Sequence, residues 1–263
     1  FTWSSLLMLF ISYSIYYLII TTITILISMW SKSSGISLVS SLVFWILFSF
    51  ITPKIATNFA NGSHPYPSKS EFNARITEDQ KNGLDGHNPW NKAAKDLEIA
   101  TLKEYGVDSI HQLPFNYNGY RMQKGEEHEA KIYEKHYNLL NQIAVEQNNS
   151  YKNWSIISPF IPVRFLSMDI ANTSDNLHWK FTSAAEKYRI EQQKFLNYDL
   201  KDNAKFDERG YKMSAESFKN LSKFNFIPPT LSEILKENTQ NFLFLLIWLV
   251  LPFIVLIIKS KKI

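Results

Sequence analysis

The chain has no cysteine in 263 residues, which excludes a disulfide framework, a thiolate zinc site and a cysteine nucleophile. Glycine (8) and proline (10) are sparse, so collagen-like and low-complexity classes are excluded as well. Hydrophobic residues reach 45% and aromatics 15%, too much apolar surface for a disordered chain. The most informative scarcity is local. No Asp, Glu, Lys or Arg occurs before Lys32, the next charge is Lys54, and 242–258 again carries none. The mean hydropathy of −0.17 therefore averages over charge-free blocks and a charged region, and describes neither.

A helix needs about 20 apolar residues to cross a hydrocarbon core of about 30 Å. The first block is long enough, and Trp3 and Trp30 lie about 40 Å apart on a helix, a spacing that suits an aromatic belt at each membrane face. The second block, 36–52, stops at Pro53, and the third, 242–258, contains Pro252. A cleaved signal peptide does not fit the first block, which lacks a basic start and is followed almost at once by a second apolar helix. With no initiator Met and an apolar opening, the sequence reads as the C-terminal part of a longer chain.

Lys32 lies in the short turn 31–35, and Lys259, Lys261 and Lys262 follow the last block. By the positive-inside rule these four lysines face the cytoplasm. The expected organisation is then two transmembrane helices in 1–54 with a cytoplasmic turn at 31–35. An extracytoplasmic helical domain occupies 55–241, and a final transmembrane helix with a basic tail occupies 242–263. The net charge of +4 belongs to the membrane flanks: 55–241 holds 23 Lys and Arg against 24 Asp and Glu. Without a basic patch on the folded domain, nucleic acid is not an expected partner.

The pattern of 55–241 is helical throughout, with no run of period-two alternation. Ser68 to Glu71 reads as a capping box that opens a helix toward Asn82. Further helices are expected from Pro89 to Tyr105 (stopped by Gly106), Arg121 to Asn148, Pro159 to Asn172, Asp175 to Asn203, Ser214 to Phe224, and from Thr230 into the last span. The fold class is thus an all-α membrane protein with an all-α domain inserted between its second and third transmembrane helices.

Several constellations invite chemistry. His87 sits in Asp85-Gly86-His87-Asn88-Pro89, a run of turn formers that reads as a turn capping the next helix. Glu126, Glu127, His128, Glu129 and His136 share one helix, but the residue four beyond His128 is Ile132, so zinc spacing is missing and a solvated face is expected. Glu186 and Arg189, with Asp175 and His178, are expected to form a buried polar network. Tyr13, Tyr17, Thr21, Thr24 and Ser28 form a hydroxyl stripe along the first span, and Ser37, Ser41, Ser49 and Thr52 form one along the second. Such stripes serve as helix–helix seams or line a translocation path, and neither carries an ionisable charge of the kind a proton-driven carrier uses.

Pro65-Tyr66-Pro67-Ser68, Asp85 to Pro89, Leu113-Pro114-Phe115-Asn116, Glu126, Ser158-Pro159, Asp175 with His178, and Ala185 to Arg189 follow one another in an order and spacing that resemble bacterial ABC-2 type transporter permeases with a large domain of unknown function before their last helix. The resemblance covers roughly Pro53 to the C-terminus. It implies a permease of six transmembrane helices, of which these are the last three, and a multi-pass place in the bacterial cytoplasmic membrane with the large domain on the extracytoplasmic side. It also implies an ABC ATPase as partner, a second permease subunit in a homo- or heterodimer, and contacts with other envelope proteins. ATP and Mg are expected in that ATPase, since this chain has no Walker motif and is not itself expected to be an enzyme or to hold a cofactor or metal. The expected function is the transmembrane subunit of an ATP-driven exporter whose external domain gates or receives cargo or binds a partner. The alternative is a membrane-anchored binding or sensor module without transport.

Overall fold

The structure, a computed structural model, describes residues 2–206, 208 and 210–261; Lys262 of the expected basic tail lies outside them. All regular elements among these residues are helical. Three helices are long and apolar enough to cross a membrane: Trp3–Trp30, Ser34–Ser63 and Thr239–Ser260. The chain divides into two packing units. One comprises Phe1–Tyr66, Gln142–Lys180 and Ile227–Ile263; the other comprises Pro67–Asn141 and Phe181–Phe226. Within 55–241, the segments 142–180 and 227–241 pack with the apolar helices, and 67–141 and 181–226 form the other unit.

In the first unit, α1 (Trp3–Trp30) is capped by Thr2, whose hydroxyl accepts from Ser5 N–H. It ends at Ser31, and Ser33 caps α2 (Ser34–Ile46), which makes the tight hairpin the sequence predicts. The second apolar helix does not end at Pro53. A π turn, Leu47–Ile51, joins α2 to α3 (Thr52–Ser63), and the helix runs on through the proline. The physical reason is legible in the hydrogen bonds. Thr52 N–H donates to Leu47 C=O, and the next donor in that i→i−5 pattern would be Pro53, which has no N–H. The Phe48 carbonyl left over accepts instead from Ser158 Oγ.

Ser158 belongs to the turn between α6 (Tyr117–Asn153) and α7 (Phe160–Ile170). The same hydroxyl accepts from Phe160 N–H at 3.2 Å, so it holds the first residue of α7 while it bridges to the second span. Trp248, in α11 (Thr239–Ser260), donates its indole N–H to Ser155 C=O at 2.8 Å. Phe160 rests edge-on against Tyr16 of α1, and Tyr13 donates to Ser167 at 3.3 Å. Phe48, Trp248 and Tyr16 each sit at the middle of their own helix. The α6–α7 turn thus reaches the mid-depth of all three candidate spans before α7 turns back. At 11 residues, or about 16 Å, α7 is too short to cross a bilayer, and it is buried along most of its length through Ile161, Val163, Phe165, Leu166 and Ile170. Irregular backbone at membrane depth is tolerated only where protein satisfies it, and here Ser158 and Trp248 do so. The core of this unit joins Tyr16, Ile19 and Ile23 to Val163, Leu166, Ile170, Ile234 and Leu245. Ala56 and Ala60 let α3 approach Tyr151, Ile161 and Phe165. A short α10 (Leu231–Glu237), capped by Thr230 and Glu233, precedes α11.

The second unit is built from α4 (Lys69–Lys81), α5 (Lys92–Tyr105), α9 (Ala215–Lys219), and parts of α6 and of α8 (Asp175–Asn203). The capping box at Ser68 and Glu71 forms as the sequence predicts, with bonds of 3.2 and 2.8 Å, and Gly106 ends α5 at φ +65°. Helix α5 opens at Lys92 under an Asn91 cap rather than at Pro89, because Asp85 and Asn88 fold 85–91 into turns. Helix α6 starts at Tyr117, earlier than Arg121. Its entry is pinned by Asn116, whose N–H donates to Lys201 C=O and whose amide donates to Lys205 C=O. The expected apolar face of α8 is partly replaced by polar contacts: Leu196 is exposed, while Asn197 is buried and donates to the buried Gln123.

Candidate functional site

Two polar constellations stand out, one in each unit. In the second unit, Gly86 and Gly125 touch backbone to backbone; a Cβ on Gly125 would lie 2.4 Å from Gly86, so no other residue fits there without displacement. That approach brings the 85–91 turn onto α6. Arg121 Nε donates to Gly86 C=O at 3.0 Å, and His87 Nε2 lies 3.7 Å from Glu126 Oε1. On the other side of Glu126 comes Arg189, with Nη1 3.4 Å from Glu126 Oε2 and a bidentate pair to Glu186 at 2.9 Å. The Glu186 bonds, reinforced by Glu126, hold the guanidinium above its already high ordinary value. Asp85, Gly86, His87, Glu126, Glu186 and Arg189, all singled out from sequence, therefore meet in one chain of polar contacts. Asp175 and His178 belong to the first unit, where His178 lies beside Trp179. Arg189 and Glu186 are roughly half exposed, so the expected buried network is a surface one.

A cleft of about 570 Å³ runs beside this chain, lined among others by Asp85, His87, Glu126, His128 and Glu129. His128 Nε2 is buried without a hydrogen-bond partner and packs on Gly83. His136 is not on a solvated face. It is buried, with Nε2 2.7 Å from Asp79 Oδ2, which also takes Lys135 Nζ at 2.8 Å. These two bonds, Lys135 first, hold the Asp79 carboxyl below its ordinary value. Among the described residues no group of three His, Cys, Asp or Glu is arranged to hold a metal. Pro89 shapes the turn before α5, and Pro114 precedes Phe115, whose ring packs against Tyr105 and Tyr120.

The second constellation lies among the candidate spans. Tyr16 and Ser49 share a buried hydrogen bond of 3.0 Å, and Thr52 is buried nearby in sequence. On the second span Ser37 and Ser41 are half-buried, and Ser41 Oγ has no partner. The hydroxyl stripe of α1 divides differently: Tyr13, Tyr17, Thr21, Thr24 and Ser28 are all exposed, while Ser5, Ser12, Tyr16 and Thr22 form the buried line. Two hydroxyl-bearing lines run along α1, and periodicity alone does not say which one the neighbouring helices cover. Sequence reading missed Ser158 as a bridge, although Ser158-Pro159 was marked as a motif, with Pro159 buried at the start of α7. It also missed Arg164, whose signal was a single charge inside an apolar run.

The family Domain of unknown function (DUF3526) matches residues 69–227, more than half of the chain. No curated protein and no solved structure matches.

Proposed function

The chain belongs to the family defined by this domain of unknown function (DUF3526), and from that premise we propose that it is the transmembrane permease subunit of an ATP-driven ABC-2 type exporter. The observation that carries the reading is the arrangement at mid-span. Three helices capable of crossing a membrane surround a re-entering turn, and their shared interior is hydrogen-bonded rather than purely apolar. Interior hydroxyls and discontinuous helix ends at mid-depth are what a path for cargo needs. Along α1, Tyr13, Tyr17, Thr21, Thr24 and Ser28 leave an exposed hydroxyl stripe on a helix otherwise suited to lipid. A second permease subunit, or further helices of a longer chain, would cover it. On this reading Lys32, Lys259 and Lys261 face the cytoplasm, the ATPase binds on that side, and the unit built from α4, α5 and α9 lies outside the cell.

The test is to express the full-length chain with its natural neighbours and purify it in mild detergent. A co-purifying ATPase whose hydrolysis rises with permease present supports the proposal; an isolated chain with no effect on any ATPase overturns it. The cleft beside His87 and Glu126 favours a second reading, a membrane-anchored binding module. That reading requires ligand capture by the outer unit without any coupling to ATP hydrolysis.

A further inference from the structure

The second candidate span is made of two helices with different neighbours. Its first half, α2, packs on α1, whereas the π turn and α3 pack on α7 and on the 154–156 turn. Helix α2 has no buried residue, while Thr52, Pro53, Ala56 and Ala60 of α3 are buried. In α2, Ser37, Ser40, Ser41 and Phe44 are half-buried and the rest exposed; the four fall at i, i+3, i+4 and i+7, on one face. Three of them are serines, too short to interlock with the ridges of a neighbouring helix. Helix α3 by contrast sets Ala56 and Ala60 against Tyr151, Ile161 and Phe165. Helix α1 belongs with the well-packed half, since it runs against both α7 and α11.

The joint between the halves is pinned from outside the helix. Thr52 N–H reaches back to Leu47 C=O, Pro53 has no N–H to continue the ladder, and Ser158 Oγ holds the Phe48 carbonyl. Ser49, within the π turn, shares its hydrogen bond with Tyr16 of α1. The turn is thus fixed in place, while the hydrogen bonding across it depends on a side chain 110 residues away. Prolines and π turns are where helices bend, and hinges are built from a few such residues. The far end of α2 does not oppose a swing. It joins α1 through Ser31 and Ser33, both in extended backbone, and three extended residues reach about 10 Å. The 13 residues of α2 make an arm of about 20 Å, so a bend of about 20° carries its end about 7 Å.

We propose that the π turn is a hinge and that α2 is a lever arm, which swings with the 31–33 turn against the fixed helices α1, α3, α7 and α11. The bond from Ser158 to Phe48 is the latch: closed, it holds the arm in place; open, it frees the arm. The latch sits in the α6–α7 turn. A shift of that turn at mid-span and a shift of the 31–33 turn at the end of the helices are therefore two ends of one motion. This assignment requires only that the apolar helices span a membrane. It goes beyond the exporter reading and stands without any ATPase.

The experiment uses the full chain in nanodiscs of phosphatidylethanolamine and phosphatidylglycerol, with spin labels on introduced cysteines and distances read by double electron–electron resonance. One pair, Lys32→Cys with Ser260→Cys, reports the arm against α11; a second, Ser63→Cys with Gln240→Cys, reports α3 against α11. The arm pair shows two distance populations, and the α3 pair shows one. Ser158→Ala raises the ratio of the second arm population to the first about five-fold, the effect of losing one hydrogen bond. Pro53→Ala returns an N–H to the joint and lowers that ratio, and in the double variant most of the Ser158→Ala effect vanishes. Pro53→Ala also serves where Ser158→Ala fails to fold. A single arm distance that is the same in every background overturns the proposal, as does an arm distribution that neither substitution changes. So does broadening of the α3 pair in Ser158→Ala, because Ser158 then holds the bundle together rather than latching the arm.

Discussion

Ser158 shows how much one hydroxyl can decide. It accepts from the first N–H of α7 and gives the Phe48 carbonyl the donor that Pro53 cannot supply. Ser158→Ala is expected to cost about 1–3 kcal/mol, the usual penalty for stranding a buried polar group. Pro53→Ala restores a backbone N–H at the position the π turn needs, so the cost of Ser158→Ala should shrink in that background. Thermal unfolding of both single variants and the double variant measures the coupling; additive costs would mean that the bridge is incidental. At Gly86 and Gly125 the deciding fact is instead an absence of side chain, which alone lets the His87 turn reach Glu126. Neither effect is visible in composition, because each depends on which backbone atom lies opposite.

At the scale of elements, the capping box of α4 was legible in the sequence, and a second one appears ahead of the last span only in the structure. Ser68 with Glu71 and Thr230 with Glu233 both close capping boxes. Hydrogen bonds from the cap backbone hold the Glu71 and Glu233 carboxyls below their ordinary values. The sign follows: a depressed folded-state pKa contributes stability that is full above the unfolded value of about 4.3 and is lost as pH falls through the lower folded value. Amide protection factors, taken against the intrinsic exchange rate at each pH, should therefore fall in the first turns of α4 and α10 below about pH 4. Glu71→Gln should remove that pH dependence in α4 and leave it in α10; acid-insensitive protection in both wild-type helices would contradict this. Element ends were less legible where prolines stand. Pro53 predicts a stop, and the chain passes through it by a π turn; Pro89 predicts a start, and Asn91 provides it instead.

For the whole molecule, the lack of cysteine becomes an experimental advantage. Single cysteines introduced at Ser33, in the α1–α2 turn, and at Glu104, at the end of α5, can be labelled without background. In intact cells a membrane-impermeant maleimide should modify Glu104→Cys and spare Ser33→Cys, which reacts only after permeabilisation. Labelling of both, or of Ser33→Cys alone, would overturn the proposed topology. The same scale separates two questions that the sequence merged. The region 55–241 reads as one domain by charge, yet by packing 142–180 and 227–241 belong with the apolar helices. Charge density reports contact with water, and α7 is a short, mostly apolar segment that carries only Arg164 and Asp169.

The sequence by itself determined the helical class, the three long apolar helices, the hairpin at 31–35 and the capping box of Ser68 with Glu71, since each follows from local composition and spacing. Only the tertiary structure decided that the α6–α7 turn meets all three apolar helices at mid-span. It alone decided that the buried hydroxyl line of α1 is the one through Ser12 and Tyr16, and that His87, Glu126, Glu186 and Arg189 form one chain of polar contacts. The physical reason is range. Helix formation and capping are settled within four residues along the chain, whereas the stranded Phe48 carbonyl and the Gly86–Gly125 contact acquire meaning only from atoms dozens of residues away or more.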